Sequence, residues 1–150
     1  MAGLATTYGS GAMSNSMDDI AANAAAFFII GSNTTEQHPV FGTKLRRAIQ
    51  KRGTKLIVAD PRRIDITDLA TVHLQHKAGT DTALINGLMY LILEKGYEDK
   101  SFIADRTVDF EAFKEVVQDY PPEKVSEITS VPVELLHEAA EIMGTSQPMA

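Results

Sequence analysis

Residues 24–40 read Ala24-Ala-Ala-Phe-Phe-Ile-Ile-Gly-Ser-Asn-Thr-Thr-Glu-Gln-His-Pro-Val40, and this stretch decides the fold. Phe27 to Ile30 form an apolar run of strand length without polar alternation, the pattern of a strand buried on both faces. Gly31 ends the run, permits a sharp turn and leaves room for a ligand to approach the backbone. Ser32, Asn33, Thr34 and Thr35 then supply hydroxyl, amide and backbone N–H donors. Pro39 opens a helical pattern. A strand that ends in a polar loop ahead of a helix is where open α/β sheets hold phosphates. The same residues also suit an ordinary polar connection that holds nothing.

The pattern repeats on either side of that helix. Val40, Leu45, Ala48 and Ile49 fall on one side of it, and Lys44, Arg46, Arg47 and Lys51 mostly on the other. The basic residues gather toward its carboxyl end, and Gly53 closes it. Lys55-Leu-Ile-Val-Ala-Asp60 is a second apolar strand. Strand, helix and strand in this span make a βαβ unit, parallel by the handedness rule. Asp60 then stands at the carboxyl end of the second strand, level with Gly31 to Asn33, where dinucleotide folds place an acid for a ribose hydroxyl. An Asx turn into Pro61, with Arg62 paired to a surface acid, is the plainer alternative.

Beyond it, Ile64 to Ala70 reads as a short helix or turn, and Val72-His73-Leu74 as a third short strand. His73 and His76 lack a carboxylate at metal-ligand spacing and are expected to mark a strand edge. Gly79-Thr80-Asp81 opens a strong helix, capped by Thr80 or Asp81, with Leu84, Ile85, Leu88, Met89, Leu91 and Ile92 on its core face and Gly96 at its end. Short amphipathic helices follow over 99–104, 109–119, 122–128 and 132–143, the last stopped by Gly144. Phe102, Phe110, Phe113, Val116, Val117 and Tyr120 are expected to pack there. His137 with Glu134, Glu138 and Glu141 reads as a solvated helix face. Residues 1–16 are small and Gly-rich and suggest a flexible start; Ser16 can cap a helix over 17–23. Residues 146–150 suggest no closing element.

The chain has 150 residues, enough for one domain with a real core. Its net charge of -6 argues against a nucleic-acid partner, and no apolar run reaches membrane-spanning length. It contains no cysteine, which removes disulfides, iron–sulfur ligation and a thiolate nucleophile from this stretch. No signal-peptide pattern opens it, so a cytoplasmic location is expected. The expected architecture is α/β: one domain over 1–150, with a parallel Rossmann-like sheet flanked by helices in 1–97 and a helical extension in 98–150.

Three motifs now stand in order. Gly31-Ser32-Asn33 comes with Glu36 and His38-Pro39-Val40. Leu56-Ile57-Val58-Ala59-Asp60-Pro61-Arg62 is second, and Gly79-Thr80-Asp81-Thr82-Ala83-Leu84 third. Together they resemble the molybdopterin oxidoreductases of the dimethyl-sulfoxide-reductase type. Ala2-Gly3-Leu4 and Gly9-Ser10-Gly11-Ala12-Met13-Ser14-Asn15-Ser16 resemble the formate dehydrogenase branch in particular. The resemblance implies a large enzyme that holds molybdenum or tungsten on molybdopterin guanine dinucleotides. By that analogy Gly31, Ser32 and Asn33, with Glu36 beside them, approach the diphosphate of one dinucleotide. Asp60 and Arg62 hold its guanosine end, Gly79 and Asp81 close the pocket, and Ser14 and Asn15 lie toward the pterin.

The family's metal-ligating cysteine or selenocysteine falls shortly upstream of the Ala2-Gly3 match, where Met1 stands here. The resemblance therefore implies an internal domain of a catalytic subunit. That domain carries no catalytic residue or metal ligand of its own and is inactive alone. Its partners would be the remainder of the subunit, with its iron–sulfur domain, and formate as the parent's substrate. No nucleic acid or membrane contact is expected. A sister enzyme of the nitrate reductase kind and a scaffold that has lost its pterin are the competing readings. A nicotinamide dehydrogenase is disfavoured, because the first strand ends Gly-Ser-Asn and not Gly-x-Gly-x-x-Gly.

Overall fold

The computed structural model describes residues 2–9, 11 and 15–150. Three parallel strands lie in the order β1 (Ala26–Ile30), β2 (Lys55–Ala59) and β3 (Val72–Leu74). In register Ile30 faces Ala59, and Ala59 faces Leu74 on its other side. Successive side chains on a strand point to opposite faces, so each strand feeds two cores. Phe27, Ile29, Leu56 and Val58 pack with Leu45 and Ala48 of α4 (Pro39–Arg52), with Ile20 of α2 (Met17–Asn23) nearby. Ile66, in a 3-10 turn over Asp65–Leu69, joins this core. On the other face Ala26, Ile57, Ala59, Val72 and Leu74 meet Leu84, Leu88 and Leu91 of α5 (Asp81–Glu94). Val125 of α8 (Pro122–Thr129) and Leu136, Ala139 and Ala140 of α9 (Val133–Thr145) complete that side. The result is the expected α/β arrangement, a parallel sheet between two helical layers.

Local signals set most element ends. Ser16 accepts the N–H of Asp19 at 3.1 Å and caps α2. Pro39 starts α4, and Gly53 ends it in the left-handed conformation. A four-residue helix, α3 (Thr34–Gln37), fills the span between β1 and α4 that reads as loop from sequence.

Several expectations are overturned. The Gly-rich start holds a helix, α1 (Ala2–Tyr8), closed by Gly9, whose N–H meets the carbonyl of Ala5 at 2.9 Å. Residues 148–150 do act as a closing element. They run beside β1 on the edge away from β2: Phe28 donates to the carbonyl of Ala150 at 2.8 Å, and Ala150 donates to that of Ala26 at 3.0 Å. Gly144 does not stop α9, which continues to Thr145. A Cβ there would lie 2.2 Å from the Tyr97 ring, so this glycine serves packing and not termination. Thr80 stands at the N-cap position of α5 without a side-chain capping bond; its hydroxyl donates to the carbonyl of Lys77 at 2.7 Å.

Other corrections concern burial. Val40 is exposed, and Ile85 is 37% exposed. Phe102, Phe113 and Val116, expected as packing residues of α6 (Lys100–Arg106) and α7 (Phe110–Gln118), are also exposed, while Val117 alone of α7 is fully buried. Among the described residues no helix is long and apolar enough to cross a membrane.

Candidate functional site

Parallel strands in register bring their carboxyl ends to one rim. Because Ile30 faces Ala59 and Ala59 faces Leu74, the next residues, Gly31, Asp60 and Gln75, emerge level with one another. The N–H of Gly31 donates to the carbonyl of Ala59 at 3.1 Å, and Gln75 reaches the carbonyl of Pro61 at 3.0 Å. The juxtaposition of Gly31 with Asp60 is therefore a property of the ladder itself.

The loop after β1 presents unused polar groups. Gly31 has φ +60°, with nothing within 4 Å of the place a Cβ would occupy. Ser32 donates to Gln37 Oε1 at 3.2 Å. Among the described residues no protein acceptor receives the backbone N–H of Ser32 or Asn33. Asn33 Oδ1 and Thr34 Oγ1 are buried without a hydrogen-bond partner. Buried polar atoms are nearly always paired, so two unpaired ones on adjacent residues set this loop apart as a candidate site. The loop is held down by close packing: a Cβ on Gly42 of α4 would sit 2.9 Å from the carbonyl oxygen of Thr34. Arg46 of α4 also donates to the hydroxyl of Thr35 at 3.1 Å.

Asp60 is at the rim but turned inward, its side chain only 3% exposed. Its Oδ1 accepts the backbone N–H of Arg62 at 2.8 Å, the Asx turn into Pro61, and also Arg62 Nε at 3.2 Å. Burial alone pushes this carboxyl up. The hydrogen bonds from the Arg62 side chain and backbone, the Arg62 charge and the charge of His76 outweigh it and hold Asp60 below the ordinary carboxylate range. Arg62 is raised in turn by its bond to Asp60 and by the charge of Asp60, with a smaller contribution from Glu36. Arg62 therefore stays a cation, 70% exposed, anchored by a buried acid and within electrostatic reach of the exposed Glu36 on α3.

The third side of the rim is built by residues 73–81. His73 Nε2 lies 3.1 Å from the carbonyl of Asp60. His76 does not mark an exposed strand edge, since its side chain is fully buried. Its Nε2 lies 3.1 Å from Asp81 Oδ1, a carboxylate five residues away that spacing arguments for metal ligands pass over. Gly79, at φ +83°, turns the chain into α5. Asp81, in the first turn of α5, has a half-exposed side chain. Residues 75–81 lead on from the carboxyl end of β3, where the Asp81 carboxylate meets His76. Asn15 donates to Asp19 Oδ2 at 2.8 Å and lines a groove with Asn23 and Pro148 to Ala150, along the other edge of β1. Ser14 lies outside the described residues.

With this geometry in place, the comparisons decide the family. Residues 2–147 match the description of the molybdopterin oxidoreductase family. The chain belongs to that family. The alpha subunit of the F420-dependent formate dehydrogenase of Methanocaldococcus jannaschii is 43% identical over 145 residues, covering 97% of this chain and 21% of that protein. A nitrate reductase of Symbiobacterium thermophilum is 37% identical, covering 96% of this chain and 20% of that protein. Acetylene hydratase from Pelobacter acetylenicus superposes with a TM-score of 0.81 at 36% identity, over 87% of this chain and 18% of that one. This molybdopterin oxidoreductase domain thus spans about a fifth of the length of the curated relatives it matches.

Membership implies a molybdopterin cofactor carrying molybdenum or tungsten. The rim carries polar groups of the kind a phosphate-bearing cofactor uses. It offers free backbone N–H donors at Ser32 and Asn33, an exposed guanidinium at Arg62, and orphaned acceptors at Asn33 and Thr34. Among the described residues no cluster of three or more potential metal-ligating side chains forms.

Proposed function

We propose that this chain holds the guanosine diphosphate end of a molybdopterin guanine dinucleotide in the catalytic subunit of a formate dehydrogenase. The observation that supports the reading is the rim where Gly31 and Asp60 emerge side by side at the strand ends, with Asn33 Oδ1 and Thr34 Oγ1 buried and unpaired in the loop that follows β1. In the parent enzyme the bound group supplies a metal centre that accepts two electrons as formate becomes carbon dioxide. The chain's own residues bind and orient. Gly31 lets the diphosphate approach, and Ser32 and Asn33 donate to it from the backbone. Arg62, anchored by Asp60, neutralises its charge, with Glu36 limiting the excess. Asp81 accepts hydrogen bonds from hydroxyl or amino groups of the guanosine, which carries such donors while a phosphate does not.

The metal ligand, the iron–sulfur domain and the formate site belong, in this reading, to the rest of the subunit; this chain has no cysteine to offer. The similarity to a formate dehydrogenase alpha subunit over almost the whole chain favours formate as the parent's substrate. The similarity to a nitrate reductase keeps a second reading, the same nucleotide-binding role in a nitrate-reducing enzyme. A scaffold without a pterin has no use for the orphaned acceptors.

Calorimetric titration of the 150-residue chain with guanosine diphosphate and adenosine diphosphate tests the proposal. Guanosine diphosphate is expected to bind more tightly. Asp60→Ala is expected to weaken it by about 1–2 kcal/mol as Arg62 loses its anchor. Equal binding of both nucleotides, or of neither, overturns the guanosine assignment.

A further inference from the structure

Charge is segregated along this chain. Residues 44–63 hold eight of its 14 lysines and arginines and only one of its 20 acids, whereas residues 110–141 hold eight acids and two lysines. The fold sets these groups on opposite faces of the sheet, with α4 packed on one and α8 and α9 on the other. The acids of α8 and α9 therefore cannot neutralise the cations of α4 within one chain.

Between α2 and α4 lies a groove of about 320 Å³. The buried Ala21 and Ala48, with Ala22 beside them, give it an apolar floor. Lys44, Arg47, Lys51 and Arg52 line its sides, and Asp18 is the one acid there. Some of this charge is met inside the chain. Lys44 pairs with Asp18, and Arg52 donates to the carbonyls of Ala22 and Ala24. Lys51 and Arg52 stand in the last turn of α4, at the negative end of its dipole. Arg47 has neither kind of support. It lies one turn from Lys44 and one turn from Lys51, spacings at which like charges repel on a helix. Among the described residues Arg47 and Lys51 have no acid within ion-pair distance, and their side chains make no hydrogen bond.

We propose that this groove docks an acidic amphipathic helix of a partner protein. Carboxylates one turn apart on that helix meet Arg47 and Lys51, and a small apolar side chain rests on the alanine floor. A guanidinium holds a carboxylate in two-pronged fashion, and alanines let a helix come close. A membrane or a nucleic acid asks for a broad or long basic surface; this one is recessed, short and bounded by Asp18. The groove runs toward the end of α4 that leads through Gly53 into β2, away from the rim where α4 begins, so docking leaves the rim open. It does not depend on the nucleotide reading.

Fluorescence anisotropy on the 150-residue chain tests this. The probe is a labelled helix-forming peptide as long as α4, with glutamates one turn apart on one face and alanine and leucine between them. A peptide of the same composition with its glutamates scattered around the helix is the control, and is expected to bind on the order of tenfold more weakly. Arg47→Glu with Lys51→Glu is expected to weaken the probe on the order of tenfold. Lys95→Glu with Lys114→Glu, the same charge change on exposed residues of the opposite face, is expected to leave it within about twofold. Ala22→Leu fills the groove without changing any charge and is expected to weaken the probe severalfold. Circular dichroism checks the folding of each chain. No binding, equal binding of the two peptides, or equal effects of the two double reversals overturns the proposal. An unaffected Ala22→Leu shows attraction to a charged surface and overturns the groove. Displacement of the probe by phosphatidylserine vesicles or single-stranded DNA as readily as by unlabelled peptide overturns the helical partner. Sedimentation that shows self-association, lost in Arg47→Glu with Lys51→Glu, makes a second copy the occupant and overturns a separate partner.

Discussion

The carboxyl rim of the sheet and the outer face of α6 and α7 invert the usual placement of side chains. At the rim a carboxylate and an imidazole are buried, each with partners, and two polar atoms of residues 33 and 34 are buried with none. Along α6 and α7, Phe102 is 57% exposed, Val116 58%, and Val108 between the two helices 89%. Burying a polar group costs free energy unless it is hydrogen-bonded, whereas exposing an apolar one forgoes only its burial. The rim therefore has a specified geometry, with bonds that fix where each group points. The α6–α7 face is under no such constraint within this chain, where Val117 alone anchors α7 to the core.

That contrast can be tested by substitution. The largest effect is expected beneath the rim. Leu84 is fully buried in the first turns of α5, against Ala59 and Leu74. Leu84→Ala is expected to cost about 2–5 kcal/mol in urea unfolding, through lost transfer energy and the cavity left behind. A loss below about 1 kcal/mol would mean that the rim does not depend on α5 for its position.

The next effect is expected at Asp60. Its folded carboxyl lies below its unfolded value, so the ionised form adds stability above about pH 4, and that contribution disappears as pH falls through the folded value. Asp60→Asn keeps the shape and removes the charge. It is expected to cost about 1–3 kcal/mol at pH 7 and to flatten the loss of stability in acid. Parallel pH profiles for the two chains would show that the Arg62 pairing contributes nothing.

The smallest effect is expected on the exposed helical face. Val116→Asp is expected to change stability by less than about 0.5 kcal/mol by the same urea titration. A cost above about 1 kcal/mol would show this face to be covered in solution and would close the gap between the two regions.

The legibility of the sequence follows the same division. The strands and the α4 boundaries at Pro39 and Gly53 rest on signals within a few residues of each other, and the approach of Gly31 to Asp60 follows once the two apolar strands pair in parallel. His76 is less legible. A histidine between a strand end and a helix start is a visible feature, but its depth depends on how α5 folds back on β3. Val40 and Val116 carry helix periodicity without a surface to pack on, so pattern alone puts them in the core. Gly144 has the chemistry of a helix stop, and only the Tyr97 ring explains why it stands inside α9.

By itself the sequence determined the alternation of strand and helix and the residue types at the strand ends, because apolar runs, prolines and glycines act on their own neighbourhoods. Only the tertiary structure decided that residues 148–150 join β1, that Asp60 turns inward to Arg62 and that His76 is sealed against Asp81. Those outcomes depend on which surfaces meet and how much water they exclude, and a chain read one residue after another does not contain that information locally.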